Sequence, residues 1–301
     1  MQQETAFHSG FVAIVGRPNV GKSTLMNAMV GEKVAIVSNR PQTTRNRIMG
    51  VDTGDDYQLV FLDTPGMHAP RTRLGEYMMQ AAKEAMQGID ALIVMVDVSN
   101  VGKQDEAVVR DMSTKKVKKF LILNKIDLIK KENLLGLIDS FSSYGYDEII
   151  PISAQTQDGV EALKQLLIRQ LPKGPQYFPE DTLTDQPERL LCAELIREKA
   201  LMHLNEEVPH GIGVEILGMK AESDRLMEIH ATIYCERATH KGIIIGKQGR
   251  MLKTIGQEAR MDIEALLGIH VNLKLWVKIR ENWRNSREDL RTLGYMNDNS
   301  K

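Results

Sequence analysis

A glycine-bounded loop near the amino terminus has the residue types and spacing that bind phosphate. It lies between an apolar run at residues 11–15 and a helix-compatible segment at residues 23–30, and it reads Gly16-Arg17-Pro18-Asn19-Val20-Gly21-Lys22-Ser23. A strand, such a loop and a helix are the context of a P-loop, whose backbone N–H groups and helix N-terminus face the phosphates. Lys22 then reaches the β- and γ-phosphates, Ser23 ligates Mg²⁺, and Thr24 completes the nucleotide contacts. The alternative is an ordinary strand–helix turn.

A second motif with phosphate chemistry is Asp63-Thr64-Pro65-Gly66, which follows an apolar strand predicted at residues 57–62. A carboxylate at the carboxyl end of that strand can hold Mg²⁺ through water, and the N–H of Gly66 can contact the γ-phosphate. We therefore expect Asp63 at the magnesium site, and Gly66 and Lys22 among the catalytic residues.

Two later motifs predict recognition of guanine. Asn124-Lys125-Ile126-Asp127 and Ser153-Ala154 each follow a predicted strand. The Asp127 carboxylate can accept two hydrogen bonds from a purine with N1–H and a 2-amino group, whereas adenine would leave a buried carboxylate unpaired at high cost. A backbone N–H at Ser153-Ala154 could meet the guanine O6. An isolated NKxD sequence is more often a cap or a turn, but four motifs in this order, each at a strand end, predict a GTP site.

Composition limits the class of protein. The chain has 301 residues, of which 42% are hydrophobic and 26% charged, with a net charge of −1, so one large or two ordinary domains are expected. Cys192 and Cys235 are far apart and lack metal-ligand spacing, which favours reduced thiols in a core. Residues 1–10 do not resemble a signal peptide, and no apolar run approaches the roughly 18 residues of a membrane span. We therefore expect a soluble, cytoplasmic protein.

Alternating strands and helices fill the first half of the chain. Strands are predicted at residues 11–15, 47–53, 57–62, 91–96, 120–124 and 148–152, and helices at residues 23–30, 74–87, 105–115, 132–141 and 160–171. This alternation predicts an α/β fold with a mostly parallel sheet and helices on both faces, in which ligands bind at the carboxyl ends of the strands. The turn Gly54-Asp55-Asp56 predicts one antiparallel edge strand.

A proline-rich stretch at residues 172–187 predicts a domain boundary, with Tyr177 and Phe178 as anchors. Beyond it, the pattern predicts helix, strand, strand, helix, helix and strand, which is a compact α+β unit. The segments concerned are residues 188–205, 213–219, 226–236, 241–245, 250–267 and 270–279. We therefore assign a first domain to residues 8–171, a linker to residues 172–187, a second domain to residues 188–287 and a tail to residues 288–301.

The second domain contains a GxxG loop, Gly246-Lys247-Gln248-Gly249, between two predicted helices. Such a turn brings backbone N–H groups toward a sugar–phosphate backbone without side chains in the way. Lys247, Arg250 and Lys253 are the candidate phosphate contacts. The alternative is a tight helix–helix turn, and Trp276, in a strand pattern, is expected in the core rather than stacked on a base.

The charge distribution favours the nucleic-acid interpretation. The sequence from Cys235 to Arg287 contains eleven basic and five acidic residues, whereas residues 177–234 include twelve acidic and five basic residues. The neutral total therefore conceals a basic surface around the GxxG loop, which is typical of nucleic-acid binding. A solvated face that serves only solubility is the alternative.

The chain resembles the Era family of bacterial GTPases. The similarity lies in the P-loop sequence, Asp63-Thr64-Pro65-Gly66, Pro41-Gln42-Thr43-Thr44-Arg45, Val277-Lys278 and Trp283-Arg284, and it extends over nearly the whole chain. It implies a GTPase domain joined to a type II KH domain that binds the 3′ end of 16S ribosomal RNA while GTP is held. It also implies a role in maturation of the 30S subunit and peripheral association with the inner face of the cell membrane.

The resemblance also guides the assignment of the switch I residues, Gln42, Thr43, Thr44, Arg45 and Asn46. A threonine here should close over Mg²⁺ and the γ-phosphate when GTP is bound. Related GTPases keep a threonine directly before an arginine, which favours Thr44 over Thr43 as catalytic residue and Mg²⁺ ligand.

Met67 occupies the position at which many signalling GTPases carry a glutamine that orients the attacking water. A thioether cannot orient water. The resemblance implies instead that Asn19 holds K⁺, which offsets developing negative charge; Asn19 as a simple loop residue is the alternative. Gln248 departs from the glycine common in the family and could narrow the approach to the GxxG loop.

Three functions remain open from the sequence. The first is a monomeric GTP/GDP switch that hydrolyses GTP and binds ribosomal RNA. The second is a GTPase that serves an RNA-modifying partner. Such proteins need an insertion with a second active site, and this sequence has no cysteine nucleophile or cofactor motif to spare for one. The third is a nucleotide-gated RNA-binding module with negligible turnover.

Overall fold

The computed structural model describes residues 7–40, 42–67, 70 and 72–296. Six strands in the first part of the chain form one sheet: β1 (His8–Gly16), β2 (Ile48–Thr53), β3 (Tyr57–Asp63), β4 (Ala91–Asp97), β5 (Lys118–Asn124) and β6 (Glu148–Ile152). Their order is β2-β3-β1-β4-β5-β6; β2 runs antiparallel to β3, and the other neighbours are parallel. The predicted, mostly parallel sheet with one antiparallel edge strand is confirmed.

Helices cover both faces of this sheet. They are α1 (Lys22–Val30), α2 (Arg73–Glu84), α3 (Lys103–Ser113), α4 (Lys131–Ser142) and α5 (Val160–Gln170). Because side chains alternate along a strand, Val12 and Ile14 pack with α1 and α5, whereas Ala13 and Val15 pack with α3 and α4. The motif residues follow the carboxyl ends of these strands, so they share one edge of the sheet.

The segment after α5 runs along the edge strand β2. The N–H of Val51 donates to the carbonyl of Leu183 at 2.8 Å. The N–H groups of Tyr177 and Phe178 both donate to Oε1 of Gln58, at 2.8 and 3.0 Å. The segment is therefore fixed through its backbone, and it pairs with an edge that would otherwise be open.

The remaining elements form a second, three-stranded sheet with helices. They are α6 (Glu188–His203), β7 (Gly213–Ser223), β8 (Leu226–Cys235), α7 (Ala238–Ile245), α8 (Arg250–Leu267) and β9 (His270–Ile279). β8 is central, antiparallel to β7 and parallel to β9. The predicted order of helix, strand, strand, helix, helix and strand is confirmed.

The segment assigned to the tail includes part of a helix within the described residues. A ninth helix, α9 (Arg287–Thr292), follows β9, and Leu290, Leu293 and Tyr295 are buried. The rings of Trp283 and Tyr295 are stacked with their centroids 6.1 Å apart. Apolar burial therefore fixes this segment as far as Met296, the last residue described.

The chain divides into two compact units whose limits differ from the assigned domains. The described residues of the first unit are 7–35, 44–67 and 78–185. Those of the second are 36–40, 42–43, 70, 72–77 and 186–296. The segment at residues 172–185 thus belongs to the first unit, and two short segments from within the first half belong to the second. No helix in the described ranges is both long and apolar enough to cross a bilayer.

Candidate nucleotide site and nucleic-acid groove

The P-loop joins β1 to α1 at the carboxyl edge of the large sheet. Gly21 precedes α1 with φ 100°, a left-handed conformation that favours glycine. A side chain at Gly21 would also collide with the amide of Asn124. Position 21 of the loop therefore needs a glycine, both for its backbone conformation and for the space beside Asn124.

Lys22 is buried at the start of α1, with its ammonium on the loop backbone. Nζ donates to the carbonyls of Gly16 and Arg17 at 3.3 and 2.9 Å. Burial lowers the pKa of Lys22 to about 8, although the nearby Asp63 opposes the shift. A phosphate beside this ammonium would favour its charged form and reverse the effect.

Three side-chain oxygens converge next to Lys22. Ser23 Oγ lies 2.6 Å from Asp63 Oδ2 and 2.9 Å from Thr44 Oγ1, which is itself 3.3 Å from Asp63 Oδ2. Burial raises the pKa of Asp63, against the effect of Lys22 and the two hydroxyl donors. Oδ1 of Asp63 is buried and accepts no hydrogen bond within the described part of the chain. Carboxylate and hydroxyl oxygens are ligands that suit Mg²⁺, so this cluster fits the metal.

The two switch threonines have different surroundings. Thr43 Oγ1 lies 2.7 Å from Ser38 Oγ and donates to the carbonyl of Arg40 at 2.6 Å, so it faces its own loop. Thr44 alone points at Ser23 and Asp63. The geometry thus favours Thr44, and Pro41 of the predicted motif lies outside the described residues.

The glycine of Asp63-Thr64-Pro65-Gly66 lies directly against the P-loop. A Cβ on Gly66 would be 2.6 Å from the backbone N of Pro18, and the N–H of Met67 donates to the carbonyl of Gly16 at 3.1 Å. The hydroxyl of Thr64 donates to the carbonyl of Ile14 at 2.8 Å. The second phosphate-side motif is therefore positioned by backbone contacts with the first.

Asn124 connects the base-side motifs to the P-loop. Its amide nitrogen donates to the carbonyl of Val20 at 2.7 Å, and its oxygen accepts from the N–H of Ala154 at 2.9 Å. Asp127, in the 3₁₀ turn Ile126–Leu128, is exposed. Discrimination against adenine depends on a carboxylate that is removed from water. Because Asp127 is exposed in this structure, the bound base itself has to exclude water from it.

Two carboxylates support this site and were not singled out from the sequence. Asp97, at the end of β4, lies 2.6 Å from the ammonium of Lys125; burial would raise the pKa of Asp97, but hydrogen bonds led by Lys125 lower it overall. Asp105, on α3, is 2.6 Å from Nε of Arg17. The position of Asp97 at the end of a strand could have identified it from the sequence. Asp105 pairs with a residue 88 positions away, and no sequence pattern indicates that pairing.

The GxxG loop lies between α7 and α8 as predicted. Gly249 precedes α8 with φ 75° and has open space where a Cβ would stand. Gln248 is also left-handed, at φ 54°. Lys247 and Arg250 flank these residues, and Lys253 follows one turn into α8.

A groove of about 380 Å³ extends from the loop along α8 and β9. Gly249 and Lys253 line it, together with Gln257, Arg260 and Asn272, which the sequence did not identify. A base lying in this groove would meet the guanidinium and amide groups, which can read base edges.

The expectation for Trp276 is wrong. It is 42% exposed on the face of β9 opposite α8, 5.3 Å from the ring of His230, whereas Trp283 is fully buried. Alternation along β9 places Val277 toward the helices and its neighbour Trp276 away from them.

The described fold and the two loops define the class of protein, a P-loop GTPase domain followed by a KH domain. Residues 11–125 match the family described as "50S ribosome-binding GTPase", and residues 207–284 match the KH domain family.

The relatives are more specific. GTPase Era of Ruminiclostridium cellulolyticum is 52% identical over 292 residues, which cover 96% of this chain and 98% of that protein. A crystal structure of Era with MgGDPNP and nucleotides 1506–1542 of 16S ribosomal RNA is 40% identical, covers 97% of this chain and 100% of the other, and has a TM-score of 0.92. An Aquifex aeolicus Era variant bound to GDP.AlF4- has the same identity, coverage and TM-score. The chain belongs to the Era family and is a GTPase.

Proposed function

We propose that this GTPase is a switch that binds small-subunit ribosomal RNA near its 3′ end through the groove beside the GxxG loop, and that it assists assembly of the 30S subunit. The observation that carries the proposal is the likeness, over 97% of the chain, to an Era structure holding both MgGDPNP and 16S ribosomal RNA. The open GxxG backbone and the basic groove residues support it, because they suit a single-stranded RNA backbone.

In this proposal the P-loop and Lys22 hold the phosphates, while Ser23, Thr44 and Asp63 hold Mg²⁺. The bound metal would neutralise charge on the β- and γ-phosphates. The support is the convergence of the Ser23 and Thr44 hydroxyls on Oδ2 of Asp63. The other carboxylate oxygen, Oδ1, is buried and has no hydrogen-bond partner among the described residues. Asp127 would read the guanine, and Asn124 would keep the base-side turn in place.

RNA affinity should depend on the nucleotide, because a nucleotide biases only states that it binds differently. We expect the loaded GTP analogue to strengthen binding of a labelled oligonucleotide from the 3′ end of 16S ribosomal RNA relative to GDP, in a fluorescence titration. A scrambled oligonucleotide of equal length is the control. Equal affinities in both nucleotide forms would leave two independent binding domains and exclude the switch.

Hydrolysis should depend on K⁺. Without a water-orienting glutamine at Met67, we expect an unstimulated rate on the order of 10⁻³ s⁻¹ or below. Asn19, exposed in a left-handed turn of the P-loop, carries the amide oxygen proposed to hold K⁺. Replacing K⁺ by Na⁺ should slow phosphate release about tenfold, equivalent to about 1.4 kcal/mol, and Asn19→Ala should remove the difference. Full K⁺ sensitivity in the variant would contradict the assignment.

Nucleotide binding should take up protons at alkaline pH. The free Lys22 has its pKa lowered to about 8, and phosphate raises it, so binding at pH 8 should consume about half a proton. Affinity should therefore fall as the pH rises above 8, whereas at pH 7 the uptake by Lys22 should nearly vanish. Calorimetry in two buffers of different ionisation enthalpy measures the proton count. Absence of uptake between pH 8 and 9 would show that phosphate does not approach Lys22.

We also propose a cytoplasmic, monomeric protein with peripheral contact to the inner face of the cell membrane. Its support is the family resemblance. Co-sedimentation with anionic vesicles, with and without GTP, tests the membrane contact.

A further inference from the structure

The segment before Thr44 belongs to the second unit rather than to the sheet that carries the nucleotide motifs. We call residues 36–43 the switch segment; its Pro41 is not among the described residues. Ile36 is 3% exposed and packs in the hydrophobic core of the second unit. The N–H of Val37 donates to Oε1 of Glu198 at 2.8 Å, and Arg40 donates to the carbonyl of Leu204 at 2.9 Å. A side chain of α6 and a backbone carbonyl directly after this helix thus hold the beginning and middle of the segment.

Arg197 holds the end of the same segment. Its guanidinium is fully buried and donates to the carbonyl of Thr43 and, at 3.4 Å, to that of Gln42. Its charge is balanced by Glu194, which accepts from Nε at 2.8 Å. Burying a guanidinium is costly unless its donors are satisfied, and here two of the acceptors are backbone carbonyls next to Thr44. The position of those carbonyls is therefore coupled to the position of Arg197.

The helix that carries Arg197 is also tied to the helix that follows the GxxG loop. Lys199 lies 3.2 Å from Glu198 and 2.7 Å from Asp262 of α8. One helical turn further on, His203 is 2.8 Å from Glu258 of α8. α6 therefore has an ion pair and a hydrogen bond with α8, and hydrogen bonds to the switch segment.

We propose that Arg197 is a positioning residue for Thr44: by fixing the carbonyls of Gln42 and Thr43, it keeps Thr44 where its hydroxyl can bind the Mg²⁺ of bound GTP. The inference rests on the proposed role of Thr44. Thr43, whose carbonyl accepts from Arg197, is bonded directly to Thr44, and the Thr44 hydroxyl is 2.9 Å from Ser23 and 3.3 Å from Asp63. The proposed effect passes through the peptide bond between the two threonines.

The sign of the effect follows from which ligand uses Thr44. Only GTP, with its γ-phosphate and metal, is expected to draw Thr44 into the site, whereas GDP leaves the switch open. Without the Arg197 hydrogen bonds, binding of GTP would also have to order the switch segment, whereas binding of GDP would not. The substitution should therefore weaken GTP binding alone, because a ligand shifts an equilibrium only by its differential affinity for the two states. Arg197 should therefore set the preference for GTP over GDP without touching either nucleotide.

The test compares affinities for fluorescent GDP and a non-hydrolysable GTP analogue. Arg197→Met should raise the Kd of the analogue about tenfold and change that of GDP less than about twofold. Arg189→Met is the matched control, since Arg189 also lies on α6 and donates to a backbone carbonyl, that of Ile216. Its ratio of affinities should stay as in the wild type. Arg197→Lys should restore part of the preference, because an ammonium can reach one of the two carbonyls.

Arg197→Met leaves Glu194 without its partner, so a second set of variants tests the inference in case this variant does not fold. Arg40→Ala removes a less buried tether of the same segment and should shift the ratio in the same direction by about threefold. Hydrogen exchange of the amides around Thr43 should rise in both variants, while the melting temperature of Arg40→Ala stays close to that of the wild type. An unchanged GTP-to-GDP ratio in Arg40→Ala and in a folded Arg197→Lys would overturn the inference.

Thr44→Ala separates this inference from the proposed function. If Thr44→Ala weakens binding of the analogue but folded Arg197 variants do not, Thr44 binds the metal and Arg197 does not position it. If Thr44→Ala binds the analogue as the wild type does, the proposed magnesium site itself is wrong. Analogue-specific weakening by both substitutions, non-additive in the double variant, supports the inference.

Discussion

Replacement of Asp127 by asparagine should change the preferred nucleotide from GTP to xanthosine triphosphate. The carboxylate is proposed to accept hydrogen bonds from N1–H and the 2-amino group of guanine. An amide can instead donate to the 2-oxo group of xanthine. Loss of a hydrogen-bonded charge partner costs about 2–5 kcal/mol, so GTP affinity should fall by at least about 30-fold. Because Asp127 is exposed without a ligand, the substitution should scarcely affect folding.

Asp97→Asn is the matched control for this prediction. Asp97 supports Lys125 at 2.6 Å but is not proposed to touch the base. Its replacement should weaken both nucleotides by a similar factor and leave their order unchanged. Competition binding of GTP and xanthosine triphosphate measures both variants. Asp127→Asn with the wild-type preference for GTP would remove Asp127 from the guanine site.

Gly249→Asp should reduce RNA affinity about 100-fold while leaving GTP affinity unchanged. The position has open space and lies at the start of α8, where an RNA phosphate is proposed to approach the backbone. A carboxylate there would oppose the phosphate, and like charges at an interface cost several kcal/mol. Lys253→Ala should have a smaller effect and flatten the dependence of log Kd on log salt by about one unit. Filter binding at several salt concentrations measures both effects.

The other end of α8 provides a control for backbone strain. Gly268 ends the helix with φ 68° and also has open space at its Cβ position. Gly268→Asp therefore imposes a similar conformational cost without placing charge at the GxxG loop. It should lose at least as much thermal stability as Gly249→Asp, because a carboxylate is unfavourable at the C-terminus of a helix, and it should keep wild-type RNA affinity. Equal loss of RNA binding in both variants would mean that destabilisation of α8, rather than the loop, is responsible.

Local patterns sufficed to predict the fold and to place the nucleotide motifs after the carboxyl ends of strands. Alternation around Val12 and Ala13 places their side chains on opposite faces of the sheet, and glycine at position 21 accompanies a left-handed turn. The P-loop depends on neighbours in sequence, so its residue types and spacing were informative. The same reasoning placed the GxxG loop between two helices.

Long-range pairings were not predictable in this way. Arg17 with Asp105 and Arg197 with Thr43 join residues 88 and 154 positions apart, and no periodicity links them. The side on which Trp276 lies depended on the register of β9 against α8, and an apolar residue type alone gave the wrong answer. The limits of the compact units could not be predicted for the same reason, since the apolar neighbours of Ile36 lie more than 150 residues further along the chain.

The pairing of Leu183 with Val51 has a practical consequence for dividing the chain. A fragment that stops at Leu171, directly after α5, would lack the segment that covers β2. The uncovered strand would offer its unpaired N–H and C=O groups to any other extended chain, so we expect such a fragment to self-associate. A fragment continued to Asp185 keeps Leu183 in place and retains its own cover. For expression of the GTPase portion alone, the fragment should therefore end at Asp185, fourteen residues after Leu171.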